Sequence, residues 1–277
     1  MTKFAVCFLL VFGELALGGM FALAIPPFFK IERGFYKSSA AVYLSAALIS
    51  AIGLALLAHR GNHPGSPAAA SLWLLSGIWT VFCAALSLYL FTLWTDLGRL
   101  RARAYSASLG IGLVAVVANA LVLKPEGFGI AASVAYGVTA VFSSLILGLA
   151  SGGMLFGHWY LIDPNLPVEY LRSFVRILGG ALIADLVGMG LAIGAIVLFD
   201  GIAAIAVRNL IRSDLGIVAF RMMLGPVASI ILAWMCWQTL KIPQTMAATG
   251  LLYITVMSVL VGELLGRFIL FRTGVPL

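Results

Sequence analysis

Charged side chains are scarce in this 277-residue sequence: Asp, Glu, Lys and Arg make up 10% of it and apolar residues 62%. A soluble domain carries about 25% charged residues, so the chain lacks the polar groups to cover a surface facing water. Histidine is thin as well, with three in all, and Cys7, Cys83 and Cys236 fall in separate apolar runs. No CxxC or Cys/His metal spacing occurs, so no metal is expected and the cysteines read as small apolar fillers. Haem held between helices needs paired histidines inside spans. Only His158 stands at the end of an apolar run, which excludes a di-haem cytochrome b and leaves no haem expected. A Walker phosphate loop, a Ser/His/Asp set and the regular arginine series of a voltage sensor are all missing, so nothing points to a hydrolase or an ATPase. The net charge is +7, but the basic residues sit at the ends of apolar runs. That placement belongs to anchoring at a membrane surface, and no nucleic-acid partner is expected.

What the sequence has in plenty is apolar runs of about 20 residues, each long enough to cross a hydrocarbon core of about 30 Å. Eight are expected, at about 4–25, 40–58, 70–94, 106–123, 130–160, 174–199, 217–237 and 246–271. The fold class is therefore an all-α integral membrane protein with eight transmembrane helices, and no stretch is long enough for a soluble domain. Glu14 in the middle of the first run argues against a cleaved signal peptide. Between the sixth and seventh runs, Ile202, Ile205, Leu210 and Ile211 mix with Arg208 and Arg212, which predicts a short helix lying in the interface near 201–213. Proline and glycine mark most turns, at Pro26-Pro27, His59 to Pro64, Lys124 to Gly127, Asp163-Pro164 and Lys241 to Pro243. No span shows a clear Gly-Pro break at its centre.

Eight spans put eight basic residues on the side of the termini (Lys3, Arg60, Lys124, Arg208, Arg212, Arg221, Arg267, Arg272) and nine on the other. The dense short loops holding Lys30 to Lys37 and Arg99 to Arg103 favour the cytoplasm for that second side, with both termini outside. The expected location is the inner membrane of a bacterium. A shift of 134 residues lays Leu15-Ala16-Leu17-Gly18-Gly19-Met20 over Leu149-Ala150-Ser151-Gly152-Gly153-Met154, Ala47-Leu48-Ile49 over Ala181-Leu182-Ile183, and Ser39 over Ser173. Two four-helix halves, 1–127 and 128–277, related by a parallel repeat about an axis along the membrane normal, would explain it. The recurrence of small residues by chance is the competing explanation. Gly13, Gly18, Gly19, Gly148, Gly152, Gly153 and Gly157 allow close helix packing, either between the first and fifth helices or at separate interfaces.

Three carboxyls lie inside spans. Glu14 and Asp185 fall near mid-helix, where a charge costs at least about 2.5–3.5 kcal/mol. Both are candidates for proton transfer, or, more simply, for a protonated carboxyl bonded to a neighbouring helix. Glu263 precedes Arg267 by four residues and reads as a local ion pair. Arg221 and Arg176 are placed to snorkel to the interface. At the end of the fifth span, His158, Trp159 and Tyr160 are candidates to contact a quinone: the aromatic pair suits an interfacial belt, and the imidazole exchanges protons near neutral pH. A solvated interfacial histidine is the plainer alternative, and His59 and His63 read as solvated loop residues.

The opening helix Gly13-Glu14-Leu15-Ala16-Leu17-Gly18-Gly19, the eight-span count, the two-bundle arrangement and the lack of haem ligands together resemble the NrfD/DmsC-type membrane subunits. The resemblance implies a haem-free, quinol-interacting anchor of a bacterial respiratory complex, with partner subunits and with a carboxylate and a histidine near the surface handling quinol protons. Glu14 is deeper than that role prefers, and Gly157 to Tyr160 has no counterpart there. The expected function is an integral subunit of an electron-transfer complex, respiratory or photosynthetic. It would bind a quinone and/or conduct protons, with no catalysis of its own beyond quinone binding. A proton-coupled secondary transporter and a purely structural subunit are the alternatives.

Overall fold

A computed structural model describes residues 2–61, 67–242 and 244–277; His63 and Pro243 lie outside these. Among the described residues ten α-helices follow in order: α1 (Thr2–Ala22), α2 (Arg33–Gly61), α3 (Pro67–Thr92), α4 (Gly98–Val122), α5 (Ile130–Ile162), α6 (Val168–Phe199), α7 (Gly201–Ser213), α8 (Leu215–Met222), α9 (Ala228–Lys241) and α10 (Thr245–Thr273). A π-turn at Met223–Val227 joins α8 to α9 into one crossing unit. Eight helices are long and apolar enough to span a membrane: α1 to α6, the α8–α9 unit and α10. The protein is an all-α, multi-pass membrane protein, as its composition requires.

Helices α2, α4 and α6 begin six to eight residues before their apolar runs, at Arg33, Gly98 and Val168. Helical hydrogen bonding carries the backbone through the headgroup region, where Arg33 and Arg99 stay exposed and Arg172 donates to the Leu240 carbonyl at 2.8 Å. The short α7 forms where expected. It buries Ala203, Ala204, Val207 and Leu210 and leaves Arg208 and Arg212 exposed. Its N-cap Asp200 accepts hydrogen bonds from the Ala203 N–H at 3.2 Å and from the Gly129 N–H at 2.6 Å, tying α7 to the α4–α5 loop. Helix α10 stops at Gly274, whose φ of 74° lets its N–H return to the Leu270 carbonyl.

The first four helices close a ring in which α1 packs on α2, α2 on α3, α3 on α4 and α4 on α1. Helices α5, α6, α9 and α10 close a second ring in the same cyclic order. The rings join at α1 and α5, the most extensive helix–helix interface, flanked by α4 against α5 and by α10 against α1. At Gly18 and Gly148 that seam leaves no room for a side chain. A Cβ on Gly18 would lie 1.6 Å from the Ser144 carbonyl oxygen, and one on Gly148 would lie 1.8 Å from the Gly18 carbonyl carbon. Backbone therefore meets backbone, the close approach that drives helix association in lipid. Gly152 joins the same seam against Ala22, whereas Gly13 faces Trp79, Gly19 faces Tyr43, Gly153 faces Phe174 and Gly157 faces Thr249.

A buried charge cluster at the seam

Four helices each deliver ionisable side chains to the region where the rings meet. They are Glu14 from α1, Arg221 from α8, Glu263 and Arg267 from α10, and Asp185 from α6, which lies within electrostatic reach of Glu263, Arg221 and Arg267; none is more than 5% exposed. Arg267 Nε donates to Glu14 Oε2 at 3.3 Å, and its Nη2 lies 2.7 Å from Oε1 as a close ion pair outside hydrogen-bond geometry. Arg221 Nη2 meets Glu263 Oε1 at 2.8 Å. The same-helix pair Glu263–Arg267 is longer, at 3.9 Å. The cluster thus runs Glu14, Arg267, Glu263, Arg221, with Arg267 lying between two carboxylates.

Two expectations change here. Arg267 does pair with Glu263, but its tight partner is Glu14 across the seam, 253 residues away. Arg221 does not snorkel to the interface: it is 2% exposed and points inward to Glu263. The reason is local. Gly225, Gly262 and Gly266 form a slot in which the guanidinium lies; a Cβ on Gly225 would come within 2.1 Å of Arg221 Nη1, and one on Gly266 within 3.0 Å of its Nε. The slot opens at the π-turn. Pro226 has no N–H to donate, and the Ala228 N–H reaches the Met223 carbonyl five residues back. The Leu224 carbonyl is satisfied by the Ser258 hydroxyl from α10, which also accepts from Ser229 at 3.1 Å. The seventh span therefore carries a Gly-Pro pair, Gly225-Pro226, where the helix widens into a π-turn and continues, so the expectation of no clear Gly-Pro break stands but misses this irregularity.

Among the described residues Asp185 is the member without a salt bridge. Its Oδ2 is buried with no hydrogen-bond partner among the described residues, as are Arg221 Nε and Nη1 and Glu263 Oε2. Three carboxyls face two guanidiniums, so one proton shared among the acids brings the set to neutrality. A cavity of about 10 Å³ touches Glu14 and Arg267 and is also lined by Asn119, Tyr136 and Thr139. That is room for about one water, beside an Asn119 Oδ1 that has no protein partner among the described residues.

Beyond Glu14, a column of hydroxyls continues on the inner face of α2. Tyr36, Ser39, Tyr43 and Ser50 recur at helical spacing and are at most 1% exposed. Ser39 Oγ, Ser50 Oγ and the Trp79 Nε1 beside Gly13 have no hydrogen-bond partner among the described residues. The Tyr43 hydroxyl meets Ser151 Oγ of α5 at 3.4 Å. Orphaned polar atoms in a row mark places for ordered water. The sequence offered a signal for this column, polar residues three, four and seven apart in an apolar span.

The three residues proposed as quinone contacts do not converge. His158 is exposed, its Nδ1 3.3 Å from the Tyr253 hydroxyl. Trp159 is half-buried, with its ring against Gly34 and Phe35. The Tyr160 hydroxyl donates to the Pro167 carbonyl at 2.7 Å and accepts from the Leu171 N–H at 3.2 Å, stapling the α5–α6 turn. His59 is exposed, as a solvated residue should be. Set beside known protein families, curated proteins and solved structures, the chain matches none.

Proposed function

We propose that this chain is the proton-handling membrane subunit of an electron-transfer complex. One observation carries the reading: five ionisable side chains from four helices are buried together at the seam of two helical rings, with one more acid than base. Charges at such depth are expensive and are kept for ion or proton movement more often than for support. The water-sized cavity at Glu14 and the hydroxyl column along α2 extend the cluster toward opposite faces. Asp185, with no pairing charge, is the acid freest to exchange its proton. The redox setting rests on the resemblance to haem-free quinol-interacting anchors, with the exposed His158 as the quinone contact and soluble partner subunits docking on that face.

The same proposal includes the duplication and the orientation. The two rings and their reciprocal contacts, α4 on α5 and α10 on α1, fit two related halves, although Gly18 meets Gly148 and Ala22 meets Gly152, a stagger of one turn from the 134-residue shift. With Arg221 and Arg267 inside the bundle, six basic residues remain for the terminal side against nine for the other. This favours the cytoplasm for the face of Lys30 and Arg101, in a bacterial inner membrane.

A second reading, a proton-coupled secondary transporter, is favoured by the π-turn at Met223–Val227 beside Arg221, an interrupted helix next to a charged site. Liposomes containing the purified protein and an internal pH-sensitive dye test the proton path. Wild type should acidify under an imposed diffusion potential, and Glu14→Gln and Asp185→Asn should each slow it at least about tenfold. Flux no faster than empty vesicles, or flux indifferent to both substitutions, defeats the proposal. Co-purification of a redox partner favours the subunit; flux that requires an added solute favours the transporter.

A further inference from the structure

On the face opposite the termini, the end of α1, the loop after it, and helices α2, α3 and α4 enclose a cavity of about 530 Å³. That falls within the size range of small-molecule sites, roughly 300–1,000 Å³. Leu23, Pro26, Pro27, Phe28 and Phe29 give it apolar walls, and Phe29, 94% exposed, stands at its mouth. Its polar lining is Arg101, Tyr36, Tyr89 and Tyr105. Two of the tyrosines are committed to structure: Tyr36 donates to the Pro26 carbonyl at 2.8 Å and Tyr105 to the Met20 carbonyl at 2.6 Å, so the walls are held rigid. Tyr89 packs beside Tyr105, with ring centroids 5.3 Å apart.

Arg101 is the unfinished part. Its guanidinium lies over the Phe28 ring at 4.7 Å, and its Nη1 is buried with no hydrogen-bond partner among the described residues. The nearby acid Asp96 is engaged with Arg33 at 3.0 Å. A guanidinium N–H withdrawn from water and left unpaired is costly, and an anion removes the cost. The surroundings add positive potential from Lys30, Lys37, Arg99 and Arg103, with Lys37 held over Trp94. Basic pockets between helices at the membrane surface are built for acidic headgroups.

We infer that this cavity binds the phosphate headgroup of an anionic phospholipid, with Arg101 contacting the phosphate and the acyl chains leaving past Phe29 into the bilayer. The site shares Tyr36 with the α2 hydroxyl column, but its ligand contact, Arg101, lies outside that column. It is tested on the purified, delipidated full chain. Native mass spectrometry should retain phosphatidylglycerol in preference to phosphatidylcholine, and phosphatidylglycerol alone should raise thermal stability. Arg101→Gln should weaken that retention about ten- to hundredfold, the loss expected for one charge-assisted bond, whereas Arg99→Gln, at an exposed neighbour, should leave it unchanged. If Arg101→Gln does not fold, the lipid selectivity of the wild type decides alone. Equal retention of the two lipids, equal protection by inorganic phosphate, or a quinone occupying the cavity after purification overturns the assignment.

Discussion

The pairing of Glu14 with Arg267 can be read out as a coupling energy. Replacing Arg267 by Met removes contacts at 2.7 and 3.3 Å to Glu14 and the longer one at 3.9 Å to Glu263. Three buried carboxyls then face Arg221 alone. Breaking a buried pair by deleting one partner costs about 3–5 kcal/mol, because the other charge stays behind. Glu14→Gln keeps an acceptor oxygen toward Arg267 and should cost less, about 1–3 kcal/mol. In the double variant, the group that Arg267→Met strands on α1 is no longer a charge. The double should therefore be more stable than the sum of the singles by at least about 1.5 kcal/mol, toward the upper part of the range for residues in contact. Reversible unfolding of the detergent-solubilised protein, followed by tryptophan fluorescence, measures all four corners of the cycle. Additive costs within about 0.5 kcal/mol would show that the two side chains do not act as a pair and would undo the description of the seam.

Other outcomes follow from the same geometry. Gly18→Val should prevent assembly, because its branched side chain would occupy the space of the Ser144 carbonyl; loss of the monodisperse peak in size-exclusion chromatography checks this, and an unperturbed protein would contradict the backbone contact. Asp185 has no salt bridge to lose, so Asp185→Asn should leave the midpoint of unfolding nearly unchanged, whereas Arg221→Met, which strands Glu263, should lower stability by about 3–5 kcal/mol; comparable losses would misplace Asp185. Ser39→Ala and Ser50→Ala each delete an orphaned hydroxyl and should slow proton flux in liposomes without lowering thermal stability.

Much of the architecture was legible because lipid imposes a simple rule: a span must be about 20 apolar residues and must satisfy its own backbone. The eight spans follow from it, and the α7 helix follows from its mixture of apolar and basic residues. Helix starts were not legible, since Arg33, Arg99 and Arg172 look like loop residues, whereas Arg33 and Arg99 stay exposed at their helix ends and Arg172 is held by the Leu240 carbonyl. The cluster was half legible. Burial cost singled out Glu14 and Asp185, and the four-residue spacing singled out Glu263 and Arg267. That Arg267 belongs to Glu14 depends on α1 lying against α10, a long-range contact that no local spacing encodes. Arg221 was misplaced because its depth is set by the slot of Gly225, Gly262 and Gly266, residues from two helices.

The glycine contact at the seam also limits how the molecule can move. Where Gly18 touches Gly148, there is no rotamer to flip and no methyl group to slide past its neighbour. The central pair of helices therefore behaves as a fixed axle. Any opening that admits a proton or a solute must come from the elements arranged around it. The seventh span is the best equipped, since its five-residue turn at Met223–Val227 can shift register and carry Arg221 with it.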